Sequence, residues 1–307
     1  MTTPGFHDPR LTEQRNPRTE RIDVASSLEI VDLMNAEDAT VAGAVRRERE
    51  RVAATIDLAV AAFRRGGRLV YVGAGTSGRL GVLDATECPP TFGTLPQMVV
   101  GVIAGGYGAL VKSVEGAEDD VNAGATAMDA ANVTAADVVV GIAASGTTPY
   151  VRAALGRAQT LGARTALVTC STPPKVLSET CDVVIQPAVG PEALTGSTRL
   201  KAGTATKLVL NTISTGAMIR LGKVYGNLMV DLMAWSEKLK DRGERIVMES
   251  CGVDRAPARA AIERAGGSVK LAIVMVRRGV ERDEAGRLLE AAGGFVRRAV
   301  GDPPAVT

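Results

Sequence analysis

Residues 68–81 read RLVYVGAGTSGRLG, and the reading of the fold starts from how that stretch changes character halfway along. Leu69, Val70, Tyr71 and Val72 form a short apolar run of β-branched and aromatic residues, the composition of a strand buried on both faces. The run stops in glycines. Gly73, Gly75 and Gly78 let the backbone turn tightly and approach a ligand closely. Thr76 and Ser77 place two hydroxyls on the same loop. Leu80, Val82 and Leu83 predict a helix behind it, whose free N–H groups and positive dipole end point back at the loop. Loop, hydroxyls and helix end together favour a phosphate group; the alternative is an ordinary strand-to-helix turn.

The design recurs. Asp137 to Ala144 (DVVVGIAA) predicts another buried strand, and it runs into Ser145, Gly146, Thr147 and Thr148 before Pro149. Further strands are expected at Val99 to Ala104, Thr165 to Cys170 and Val183 to Ile185, with helical patterns between them. That alternation predicts an α/β fold, a parallel sheet of about five strands flanked by helices. Two hydroxyl loops at strand C-terminal ends converge on the crevice where open α/β sheets bind ligands. GAGTSG has dinucleotide-type spacing, but the region where an NAD site needs an acid reads MVVGVIAGG. There is no G-x-x-x-x-G-K-[ST] either. The hydroxyl content favours a compact phosphate monoester.

Other segments follow the same logic. Residues 1–60 are expected to form a polar arm, either a disordered terminus or an arm packed on its own domain or on a partner, followed by two helices, the second running through Val45, Val52 and Val60. Residues 61–240 hold the sheet domain. In it, Pro89 and Pro90 are expected to break the helix after the first loop, leaving Glu87 and Cys88 at the break. A helix from about Ala109 is expected to carry Glu115 and Glu118 near one face. An apolar helical pattern is read from Lys223 to Leu239. Residues 241–307 carry only helical patterns and read as a small all-helical module.

The chain has 307 residues and a formal net charge of +2, with no basic block, so nucleic acid is not the expected partner. No apolar run approaches a membrane span and no signal pattern opens the sequence, so a cytoplasmic protein is expected. The four cysteines are scattered without a C-x-x-C pair. The one histidine, His7, lies in the polar arm. A histidine base or metal site is therefore not expected, and proton transfer falls to Glu, Asp, Lys or Tyr. Glu87 is the carboxylate least easily read as solvated surface. Glu115, with Asp119 and Asp120, is a surface residue by default. Thr195 and Ser197 resemble a helix-capping cluster, and Arg199, Lys201 and Lys207 add positive charge.

GAGTSGRLG, LDATECPPTFG, VEGAEDD, VVVGIAASGTTPYV, LTGSTRLKAGTATKLVLN and GKVYGNLMVD together closely resemble the N-acetylmuramic acid 6-phosphate etherases of the SIS (sugar isomerase) domain family, from about Thr12 into the C-terminal helices. The resemblance implies an SIS-type fold and cleavage of a lactyl ether on a sugar phosphate. It implies no metal or organic cofactor, and a homodimer with its site near the subunit interface. The family's two glutamates fall on Glu87 and Glu118, which we take as acid and base, with the reverse assignment open. The phosphate would be held by Thr76, Ser77 and Gly78 with Ser145, Gly146, Thr147 and Thr148. The family commonly has Arg at the position of Thr147. Arg199 and Lys201 are candidate electrostatic helpers for the enolate or the lactate carboxylate, with structural pairing to nearby acids as the alternative. A sugar-phosphate-sensing regulator of the glucokinase-regulator type is the competing function.

Overall fold

The five expected strands are all present in the computed structural model, which describes residues 10–232 and 237–303. They are β1 (Leu69–Gly73), β2 (Val99–Ile103), β3 (Val138–Ile142), β4 (Arg164–Val168) and β5 (Val183–Ile185). All pair in parallel, in the order β2-β1-β3-β4-β5. Every residue of β1 and β3 is buried, which is why these strands read as continuous apolar runs with no polar alternation.

Helices α1 (Ser27–Asp38), α2 (Val41–Arg47) and α3 (Arg49–Arg64) precede the sheet. Between strands run α4 (Gly75–Phe92), α5 (Val121–Ala130), α6 (Pro149–Thr160) and α7 (Lys175–Thr180), and α8 (Lys201–Arg220) follows β5. A short antiparallel hairpin, β6 (Val224–Tyr225) and β7 (Leu228–Met229), comes next. The chain ends in α9 (Glu237–Cys251), α10 (Arg255–Arg264), α11 (Val269–Arg278), α12 (Arg282–Ala291) and α13 (Val296–Val300).

These elements form two compact units. One comprises the residues up to Thr86 together with Gln97–Ser214, the other Glu87–Pro96 together with Thr215 onward. In the first, Met128, Tyr150, Val151 and Leu155 of α5 and α6 bury against Val70, Val139 and Leu167 of the sheet. In the second, Val247, Ile273, Val274 and Val296 centre a separate core. The helices lie very close to the sheet because small residues allow it. A Cβ on Gly101 of β2 would fall 2.5 Å from Cα of Val82 on α4.

The arm is settled over its described part. Thr12, Asn16 and Thr19 are buried against their own domain: Gly196 N donates to Thr12 O, Asn16 Nδ2 to Pro191 O and Thr19 Oγ1 to Ala193 O. His7 and the first nine residues lie outside the described residues.

Four expectations are corrected. Helix α4 runs through Pro89 and Pro90. Proline's fixed φ suits a helix; what it removes are the two N–H groups that would reach the carbonyls of Ala85 and Thr86. The helix closes beyond them, with Gly93 N on Pro89 O at 2.9 Å. The segment carrying Glu115 and Glu118 is a turn-rich loop after a 3₁₀ turn at Tyr107–Leu110, and left-handed Gly116 (φ +71°) keeps it from winding into a helix. The apolar pattern from Lys223 is the β6–β7 hairpin, turned at Gly226–Asn227; residues 233–236 lie outside the described residues. The long helix expected before the sheet is divided into α2 and α3 at Glu48.

Replacing Gly101 by Ala is expected to cost about 1–3 kcal/mol, because the new methyl meets backbone that cannot swing aside. Urea denaturation measures it, and an unchanged midpoint would show that α4 can shift freely.

Candidate functional site

The site is built where the order of the sheet reverses. β1 has β2 on one side and β3 on the other, so the loops after β1 and β3 leave the same sheet edge on either side of the switch point. Gly73 and Ile142, the last residues of β1 and β3, are register partners.

The first loop is a single residue, Ala74, before α4 begins at Gly75 with φ +52°. Thr76, Ser77 and Gly78 are therefore the first turn of the helix itself. The first helical bond is Gly78 N to Ala74 O at 3.2 Å, which leaves the N–H groups of Gly75, Thr76 and Ser77 at the open end of the helix. Strand end and helix start are in backbone contact. A Cβ on Gly73 would lie 2.8 Å from Gly78 N, and one on Gly78 would lie 2.7 Å from Gly73 O.

The second loop is folded on itself. Ser145 Oγ lies 3.0 Å from Thr147 Oγ1, and Thr147 N donates to Ser145 Oγ at 3.2 Å. Gly146 (φ +72°) sits against Pro173 and Thr169. Thr148 leads into α6, with Pro149 at its first position. Tyr150 N in that first turn donates to Glu118 O at 3.0 Å, which ties the Glu118 loop to α6.

Glu118 joins the first loop directly. A cavity of about 310 Å³ is lined by Ala74, Gly75, Arg79, Ser113, Glu115 and Glu118 among others. The second loop does not line it. Arg79, one turn into α4, donates from Nε to Leu110 O at 3.1 Å. A larger hollow of about 660 Å³ lies in the second unit, but its Asp241, Glu244, Arg255 and Arg259 are paired with one another. Glu87 is carried by α4, falls in the second unit and is exposed. Cys88 is buried, and none of the four cysteines is in a disulfide.

The 189–201 segment holds a different kind of group. Lys201 is 1% exposed, and its Nζ donates to Glu37 Oε2 at 2.6 Å and to Val189 O at 3.0 Å. Arg18 bonds the same carboxylate, Nε to Oε1 at 2.5 Å and Nη2 to Oε2 at 2.9 Å. The structure thus spends the Lys201 charge on a buried ion pair, and its expected role as an electrostatic helper is not retained. Arg199 is exposed. Glu192, fully buried, accepts from Lys201 N and Ala202 N, each at 2.9 Å, and so caps α8. Burial pushes its carboxyl up, against those two backbone bonds. The first turn of α8 reaches the first loop: a Cβ on Gly203 would lie 3.8 Å from Thr76 Cγ2. Sequence reasoning missed Arg79, Glu37 and Glu192. Only Glu192 carried a local signal, an acid nine residues before a lysine-led helix.

Known proteins resemble this chain over most of its length. Residues 51–159 match the glucokinase regulatory protein N-terminal SIS domain. An N-acetylmuramic acid 6-phosphate etherase of Serratia proteamaculans (strain 568) is 56% identical over 266 residues, 87% of this chain and 89% of the relative. Another, of Erwinia tasmaniensis, is 55% identical over 266 residues, 87% of either chain. Among solved structures, a capsule-formation protein of Bacteroides fragilis NCTC 9343, assigned as a phosphosugar isomerase, superimposes with a TM-score of 0.50 at 19% identity. The likeness covers 71% of this chain and 97% of that one, and it speaks to the fold alone.

Glu37 gives a pH test. The bonded Arg18 guanidinium holds its carboxyl down at about 2 from the ordinary 4.5, against the opposing push of burial, with Lys201 adding to the depression. A depressed folded-state pKa contributes stability above 4.5 that is lost as pH falls toward 2. Glu37→Gln, which strands buried Lys201, is expected to cost roughly 3–5 kcal/mol at neutral pH. It should also flatten the acid limb of the stability profile. Denaturant titrations from pH 2 to 7 read both, and a parallel profile for the two proteins would contradict the pairing.

Proposed function

This chain belongs to the N-acetylmuramic acid 6-phosphate etherase family, and from that premise we propose how it cleaves the lactyl ether of its substrate. The enzyme is a carbon–oxygen lyase. It converts N-acetylmuramic acid 6-phosphate to N-acetylglucosamine 6-phosphate and D-lactate. The regulator reading shares the scaffold over residues 51–159, but the etherase relatives extend across far more of the chain.

The chemistry has to make a poor leaving group leave. An ether oxygen departs readily only when it lies β to a carbonyl. Opening the sugar ring exposes the C1 aldehyde, which acidifies the C2 proton. Glu118 takes that proton. The electron pair forms the C2–C3 double bond as the C3–O bond breaks, and Glu87 protonates the departing lactate oxygen. Water then adds at C3 of the unsaturated aldehyde, and a proton returns to C2. Two carboxyls exchanging protons in this order supply general acid and base without a histidine.

One observation carries the reading: Glu118 and the open end of α4 line the same cavity. The phosphate sits on the α4 end and the hydroxyl loops, which hold it through N–H and O–H donors and the helix dipole. The same reading makes the protein a cytoplasmic homodimer, with its site near the subunit interface, acting in the recycling of peptidoglycan amino sugar. Leu28 and Val31, exposed on α1, supply apolar surface for such a partner.

The test is turnover in deuterated water. Wild type should release D-lactate and place deuterium at C2, with specific activity falling on dilution below the dimer. Glu118→Gln should lose both C2 exchange and lactate release, by roughly 10²–10⁴-fold. Glu87→Gln should keep C2 exchange while lactate release falls. No lactate from wild type would sink the function, and exchange lost in Glu87→Gln but kept in Glu118→Gln would reverse the two roles.

A further inference from the structure

Arg79 is the one cation among the described residues lining the Glu118 cavity, and the mechanism above does not use it. Its surroundings are specific. It follows Gly75 by four positions on α4, so it lies one turn in from the open helix end, on the same face. Its Nε is committed to Leu110 O at 3.1 Å, and that bond orients the guanidinium plane. Leu110 O is its only hydrogen-bond or ion-pair partner among the described residues, even though Glu115 and Glu118 line the same cavity. The two terminal amino groups are therefore available as a planar fork, the donor geometry that matches a carboxylate.

The substrate carries two anions, a phosphate and the carboxylate of the lactyl group. The phosphate is matched by the open end of α4 and the hydroxyls. The lactyl oxygen is on C3, next to the carbon whose proton goes to Glu118, so whatever holds the lactyl carboxylate has to stand beside Glu118. Lys201 is enclosed in its pair with Glu37. Thr147 offers no charge. We propose that Arg79 binds the carboxylate of the lactyl group and is the residue that distinguishes the ether substrate from a sugar phosphate lacking that acid. The assignment rests on the etherase reading of the same site. It also accounts for the leaving group: a carboxylate held by Arg79 fixes the orientation of the C3–O bond relative to Glu118 and stays bound while that bond breaks.

The experiment compares three ligands by calorimetric binding: N-acetylmuramic acid 6-phosphate, its 3-O-ethyl analogue without the carboxylate, and N-acetylglucosamine 6-phosphate. To stop turnover, binding is measured in a Glu118→Gln background, with and without Arg79→Gln. With Arg79 present, the acid should bind at least about tenfold tighter than the ethyl analogue, the scale of a charge-assisted hydrogen bond. With Arg79→Gln that preference should vanish, while the affinity for N-acetylglucosamine 6-phosphate stays the same. An equal loss for all three ligands would assign Arg79 to the phosphate or to the fold and overturn the proposal; so would no loss for any.

A second arm needs no variant at Arg79. Free D-lactate should inhibit the wild-type enzyme competitively against the ether substrate, whereas propionamide, neutral and of similar size, should not. Equal effects of the two would contradict a guanidinium site. Failure of the etherase reading is separable, since it shows as absent lactate release from wild type whatever the binding pattern.

Discussion

The backbone contact between Gly73 and Gly78 is the constraint on which the site depends. A strand that ends one residue before a helix begins must press its last peptide against the helix's first turn, and any Cβ at either position would overlap backbone. That closeness aims the unpaired N–H groups of α4 at the sheet edge. It also sets the position of β2, because a Cβ on Gly78 would meet Ile103 Cγ1 at 2.6 Å. From the end of β2 the chain enters the loop that brings Leu110 to Arg79 and Glu118 to the cavity. Helix end, guanidinium and carboxylate all follow from one tight turn.

Burial sorts the charged groups into two kinds. Glu37, Lys201 and Glu192 are enclosed and hydrogen-bonded, and their energetic role is to hold the arm and the start of α8 in place. A charge already neutralised in the interior cannot also meet a charge that develops during a reaction. Glu87 and Glu118 are exposed, and neither is enclosed in an ion pair of that kind. Arg79 lies between the two kinds, half-buried, with its Nε bound to Leu110 O and its side chain among those that line the cavity.

Much of this was legible in residues 68–81 and their echo at 137–148. Doubly buried parallel strands are written as unbroken apolar runs, and left-handed glycines mark their ends, so strands and loops could be read directly. What was not legible depended on partners far along the chain. Pro89 and Pro90 look like a helix break, because the signal registers missing donors and not the fact that proline's φ still fits a helix. Lys201 looked like a site cation until Glu37, 164 residues away, closed on it. Arg79 was in the opening stretch from the start, but its significance comes from a carbonyl 31 residues on and a loop that had read as a helix.

The central claim is that the sugar phosphate binds with its phosphate on the open end of α4 and its C2 toward residue 118. A crystal structure of Glu118→Gln with N-acetylmuramic acid 6-phosphate tests it most directly. The account predicts the phosphate within hydrogen-bond reach of the N–H groups of Thr76 and Ser77, C2 facing the side-chain amide that replaces the Glu118 carboxylate, and the lactyl carboxylate on Arg79. Density for the ligand outside that cavity, or with the lactyl group turned away from Arg79 and residue 118, would contradict it.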